Sequence, residues 1–162
     1  MDLLENWLHA GLWLRGADGG RYPWPKIPPR LATRHNRRPL PMLMGPGGGG
    51  IDFRLLIPKD SVFQGDVGLR GLTSTEGLIF QKRFVDMTVS VARDSEDFVR
   101  LGSIREGEGG PGRQWTPFEV DLSEYGGEYV TLRLEAIPTL EVGEDAMVWW
   151  GSPRIAPKAK TP

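Results

Sequence analysis

The chain predicts an all-β protein: an antiparallel, two-sheet, jelly-roll-like sandwich preceded by an extended N-terminal arm that contains a short helix. Three observations predict it. In VDMTVSV, Val85, Met87, Val89 and Val91 alternate with Asp86, Thr88 and Ser90. In YVTLRLEAI, Val130, Leu132, Leu134 and Ala136 alternate with Tyr129, Thr131, Arg133 and Glu135. A period of two is the mark of strands covered on one side. Glycine-containing turns separate such pieces, and no long amphipathic helix supplies the crossovers that a parallel sheet needs. The region up to Gly50 has a different composition, rich in proline, glycine and basic residues.

Asp2 can cap a helix, with Glu5 three residues later, and Leu3, Leu4, Trp7 and Leu8 fall at helical spacing before Gly11. So short a helix is marginal alone, and its stripe must cover another surface. From Gly16 to Gly50 prolines alternate with basic residues and end in GPGGGG, which predicts an extended segment closing in a hinge. Beyond it, strand material is expected at residues 54–58, 62–69, 77–80, 85–91, 118–122 and 129–137, with a long polar loop at 103–115. The expected divisions are an arm at 1–50, a sandwich at 51–157 and a tail at 158–162. In the closing stretch DAMVWWGSPRI, adjacent residues of a regular strand point to opposite faces, so Trp150 is expected in the core and Trp149 outside. A bulge before Gly151 would reverse that.

With 162 residues there is room for one sizeable core. The net charge is -1, but residues 1–50 carry seven Lys or Arg against three Asp or Glu, and the remainder thirteen against eighteen. The basic residues are spread among prolines and aromatics rather than gathered on one face, so no nucleic-acid partner is predicted. Cysteine is absent, which excludes disulfides and thiol chemistry. MDLLENWLHAGLWLRG makes a poor signal peptide, and no run approaches a transmembrane segment, so a cytoplasmic location or a place in an assembled particle is expected.

His9 and His35 are the only histidines and form no ligand motif. No metal site or cofactor is implied, although the oxygens of Asp60, Asp66, Asp94, Glu96 and Asp97 leave structural calcium open. Nucleophile, phosphate-loop and dinucleotide patterns are absent. Carboxylates such as Glu119, Asp121, Glu135, Glu141, Glu144 and Asp145 are plentiful, but their spacing does not place a pair across a cleft. The chain is expected not to be an enzyme.

Four stretches resemble a known group. They are DFRLLIPKDSVFQGDVGL, EGLIFQKRFVDMTVSV, RQWTPFEVDLSEYGGEYVTLRLEA and the closing WWGSPRI, together covering roughly residues 52 to 156. In this order they resemble the galactose-binding-like, carbohydrate-binding-module-like β-sandwich domains found as accessory regions in bacterial sulfatases, glycosidases and cell-envelope proteins. That resemblance implies a scaffold used both by sugar binders and by modules that support enzymes or assemblies. The basic, proline-rich first fifty residues depart from the accessory pattern.

Two classes of site follow. A structural or assembly protein, an oligomer or complex subunit of a larger protein assembly, would use Leu4, Trp7, Leu8, Trp13, Tyr22, Trp24 and Trp149 as anchors along the arm and sandwich. A glycan-binding module would stack sugars on Trp115 or Trp149 and read hydroxyls with Asp145 and Arg154. A core role for Trp115 and one of the final tryptophan pair explains those residues as well. The assembly reading leads; the glycan module, or a non-catalytic subunit of an enzyme, is the alternative.

Overall fold

Strand pairing in the computed structural model, which describes residues 1–6, 9–16, 18–23, 39–43, 47–70, 84–94, 96–107, 115–138 and 147–159, builds two antiparallel sheets. The strands are β1 (Gly11–Arg15), β2 (Arg21–Pro23), β3 (Pro39–Leu43), β4 (Gly49–Leu56), β5 (Ser61–Arg70), β6 (Phe84–Ala92), β7 (Val99–Gly107), β8 (Thr116–Asp121), β9 (Tyr129–Pro138) and β10 (Met147–Pro157). The larger sheet runs β2-β1-β4-β9-β6-β7 and the smaller β3-β10-β5-β8.

The alternation expected of β6 and β9 is present. Val85, Met87, Val89 and Val91 enter the core beside Val130, Leu132, Leu134 and Ala136, and β4 adds Ile51, Phe53 and Leu55. The smaller sheet answers with Phe63, Val67, Val120, Trp150 and Ile155. Trp150 is fully buried, its ring 5.7 Å from Phe63 and 5.9 Å from Phe118. Burying large aromatics between two sheets supplies about 2–3 kcal/mol each, which holds the layers together.

One irregularity decides which residues of β10 share a face. Gly151 pairs with Asp66 but Arg154 pairs with Gln64, so β10 advances three residues while β5 advances two. The extra residue is accommodated by a bulge. Within it, Ser152 takes the left-handed region at φ 46. Trp150 and Ile155, five positions apart, would face opposite ways in a regular strand, yet both are buried. Conversely, Trp149, Gly151 and Arg154 all lie on the outer face. The bulge sits after Gly151, so Trp150 keeps its expected place in the core.

The N-terminal part of the expected fold requires correction: the short helix expected there is not found, and there is no α-helix among the described residues. Residues 3–6 form turns, Asp2 forms an isolated bridge with Arg154, and Gly11–Arg15 is strand β1. Asp2 does accept a hydrogen bond from the Leu4 amide at 2.9 Å, but the chain turns instead of coiling. Leu3 sinks completely into the core, and its amide bonds to the Pro153 carbonyl at 3.0 Å. Tertiary burial thus overrides a stripe too short to nucleate a helix. β1 and β2 extend the larger sheet and β3 extends the smaller. Gly49 and Gly50, the end of the glycine run, are already the first residues of β4. The first residues of the loop expected at 103–115 are strand instead, since β7 continues to Gly107, and residues 108–114 lie outside the described residues.

Candidate functional site

Three rows of side chains cross the outer face of the smaller sheet. The pairings Gly68↔Trp149 and Val67↔Thr116 set Trp115 and Trp149 on either side of Gly68. The next row is Pro117, Asp66 and Gly151, and the third is Glu119, Gln64 and Arg154. From Gly68 to Gln64 the strand advances about 13 Å, at about 3.3 Å per residue.

Both tryptophans are half-buried. Trp115 is seated by two absent side chains. A Cβ on Gly151 would lie 2.9 Å from Trp115 Cζ3, and one on Gly68 would lie 3.2 Å from Cε3. The benzene edge of the indole therefore rests on bare backbone, beside the Asp66 Cβ. Any larger residue at Gly151 would lift the ring from that seat.

The third row is a hydrogen-bonded line. Gln64 Nε2 donates to Glu119 Oε2 at 2.8 Å, which turns its carbonyl oxygen towards β10. That oxygen accepts both Nε and Nη2 of Arg154, at 3.3 and 3.1 Å. Beyond it, Lys158 donates to Asp121, whose carboxyl is held far below its ordinary range by that contact and by the Ser123 hydroxyl and amide. The platform combines apolar ring surface with oriented donors and acceptors.

The outer face of the larger sheet is built differently. Trp13 lies over Gly50 and is only 7% exposed. The Arg21 guanidinium stands 3.8 Å above its ring. Asp52 accepts Trp13 Nε1 at 3.2 Å, Arg21 at 3.1 Å and both Nε and Nη2 of Arg133 at 2.8 Å. Burial pushes the Asp52 carboxyl up, but its bonds to Arg133, Trp13 and Arg21 outweigh this and leave it below its ordinary value. Phe98 covers Arg133 at 3.4 Å, and Arg15 pairs with Glu135 at 2.9 Å. This network consumes its own charges.

The residues expected for function are therefore divided among several places. Trp115, Trp149 and Arg154 come together on the smaller sheet, while Asp145 lies outside the described residues. Of the expected partner anchors, Leu4 packs against the core, Trp13 is covered by arginine and Tyr22 is 51% exposed, with its hydroxyl donating to Asp18 at 2.6 Å. Trp7, Leu8 and Trp24 lie outside the described residues. Asp66, Gln64, Glu119, Gly68 and Gly151 complete the face and were not singled out as glycan contacts from sequence. The alternation of Gln64, Asp66 and Gly68 within VFQGDVGL was the available signal. Among the described residues, no group of three or more His, Cys, Asp or Glu side chains could hold a metal ion, and no helix is long and apolar enough to cross a membrane.

No family model and no curated protein sequence matches the chain. Similar solved structures are TmCBM61 in complex with beta-1,4-galactotriose, at 8% identity and TM-score 0.47, covering 76% of this chain and 74% of that one. A Family 16 Carbohydrate Binding Module-2 aligns at 10% identity and TM-score 0.41, covering 79% and 82% of the two chains. A CBM4 structure aligns at 7% identity and TM-score 0.37, covering 68% and 61%. The protein is a β-sandwich resembling carbohydrate-binding modules, and the likeness is one of fold.

Proposed function

We propose that the chain is a non-catalytic glycan-binding sandwich and that the outer face of β8, β5 and β10 is its binding surface. The observation that carries this reading is the placement of Trp115 and Trp149 on either side of Gly68, in line with the Glu119, Gln64 and Arg154 row. An indole face offers apolar contact to the C–H face of a sugar ring, while the polar row reads hydroxyl positions. Trp115 is already seated on the glycines, so binding loses little conformational freedom there. Stacking and hydroxyl recognition by themselves leave the charge of the ligand open.

The test is a fluorescence and calorimetric titration of the whole chain against β-1,4-glucan, galactan, mannan and xylan oligosaccharides and oligouronates. At least one is expected to bind. Trp115→Ala and Trp149→Ala should each weaken it by about tenfold, the loss of roughly one stacking contact. A folded wild-type chain that binds none of the panel removes the proposal.

A further inference from the structure

Arginines with described side chains are mostly spent on carboxylates. Arg15 pairs with Glu135, Arg21 and Arg133 with Asp52, Arg54 with Asp94, Arg93 with Glu128 and Arg105 with Asp86. Arg154 is different. It is exposed, shares a face with Trp115 and Trp149, and two of its nitrogens donate to a neutral carbonyl oxygen, that of Gln64. No described carboxylate forms a salt bridge with it.

The nearby acids are engaged or set back. Glu119 is one hydrogen bond removed, accepting from the Gln64 amide. Asp66 is buried against the seat of Trp115, and Asp121 is tied to Lys158. Asp2 faces Arg154 across a backbone bridge, but one of its carboxylate oxygens accepts the Leu4 amide. A guanidinium held in plane by a neutral partner keeps its full charge and retains donors for a second acceptor. Its fork matches a carboxylate better than a lone hydroxyl.

Resting on the glycan reading of this face, we infer that its ligand is an acidic glycan, with Arg154 pairing a uronate carboxylate while Trp115 and Trp149 carry the adjoining sugar faces. Gln64 is then a positioning residue, and Glu119 sets its amide. The bulge at Ser152 contributes by returning Arg154 to the tryptophan side of β10.

The test compares oligomers of galacturonate, glucuronate and mannuronate with the methyl ester of each, which keeps linkage and stereochemistry but removes charge. The neutral oligosaccharides named above are titrated alongside. The wild-type chain should bind at least one acid about tenfold more tightly than its ester, as expected for one charge-assisted pair. Arg154→Ala should erase that preference. Gln64→Glu should erase it too, because its carboxylate occupies Arg154 without removing the cation, and thermal melting of both variants separates this from unfolding.

A wild-type chain that binds esters or neutral chains at least as tightly as the acids overturns the charge inference and leaves glycan binding standing. A preference for acids that survives Arg154→Ala also overturns it. Failure to bind acids, esters and neutral chains alike removes the glycan reading itself.

Discussion

Trp13 and Trp115 are both seated on glycine, on the outer faces of opposite sheets, yet their surroundings differ. Over Trp13 stands Arg21, itself bonded to Asp52, which also holds Arg133 and the indole N–H. Around Trp115 the described residues place glycine backbone beneath and an arginine without a carboxylate partner two rows away. One face satisfies its own aromatics and charges. The other, among the described residues, sets the Trp115 ring on a face with an arginine that has no salt bridge to a described carboxylate. An aromatic residue on a sheet is thus a weak sign of binding until its cover and its neighbouring charges are known.

The comparison can be broken at either face. The largest effect is expected from Asp52→Ala, which strands the buried Arg133 and frees Arg21 and Trp13. It should cost about 3 kcal/mol in urea denaturation. Glycan affinity at the smaller sheet should stay unchanged in the folded variant, and a parallel loss of affinity would show that the two faces are coupled.

Gly151→Ala asks whether the seat of Trp115 matters. The added methyl would sit 2.9 Å from Trp115 Cζ3 and 3.0 Å from Cε3, so the ring must shift. A stability loss of about 1 kcal/mol and a several-fold loss of glycan affinity are expected. Unchanged affinity in titration would mean that the seat is structural only.

The smallest effect is on acid stability. Asp52 has a depressed carboxyl in the folded chain, so its contribution is fully present above its unfolded value of about 3.9 and is lost as pH falls through the folded one. The stability advantage of the wild type over Asp52→Asn should therefore shrink below about pH 4. A constant difference across that range in pH-dependent melts would exclude the carboxylate charge as its source.

Much of the sandwich was legible because β6 and β9 alternate cleanly, with apolar residues all on one side. The same alternation separated Trp149 from Trp150. β7 was less visible: VRLGSIREG mixes charged and small residues, and its pairing to β6 contains its own register shift. In β1, Leu12 and Leu14 alternate with Trp13 and Arg15, but the neighbouring apolar residues suggested a helix. Only a sheet edge offered by β4 makes the strand the better use of that segment.

The candidate site was legible in part. Trp115, Trp149 and Arg154 were named from residue chemistry, but their common face depends on β5 lying between β8 and β10. Trp13 stands in the sequence as one aromatic of the N-terminal region, and its enclosure is not legible there because Asp52 and Arg133, which help enclose it, are distant in sequence.

The sequence by itself determined the strand character of the body, the opposite faces of Trp149 and Trp150, and the lack of cysteine chemistry. Tertiary structure alone decided which strands became neighbours, where the extra residue of β10 was absorbed, and hence which side chains met. The reason is physical: a period of two assigns a residue to one side of its own strand, whereas register and strand order depend on partners far along the chain.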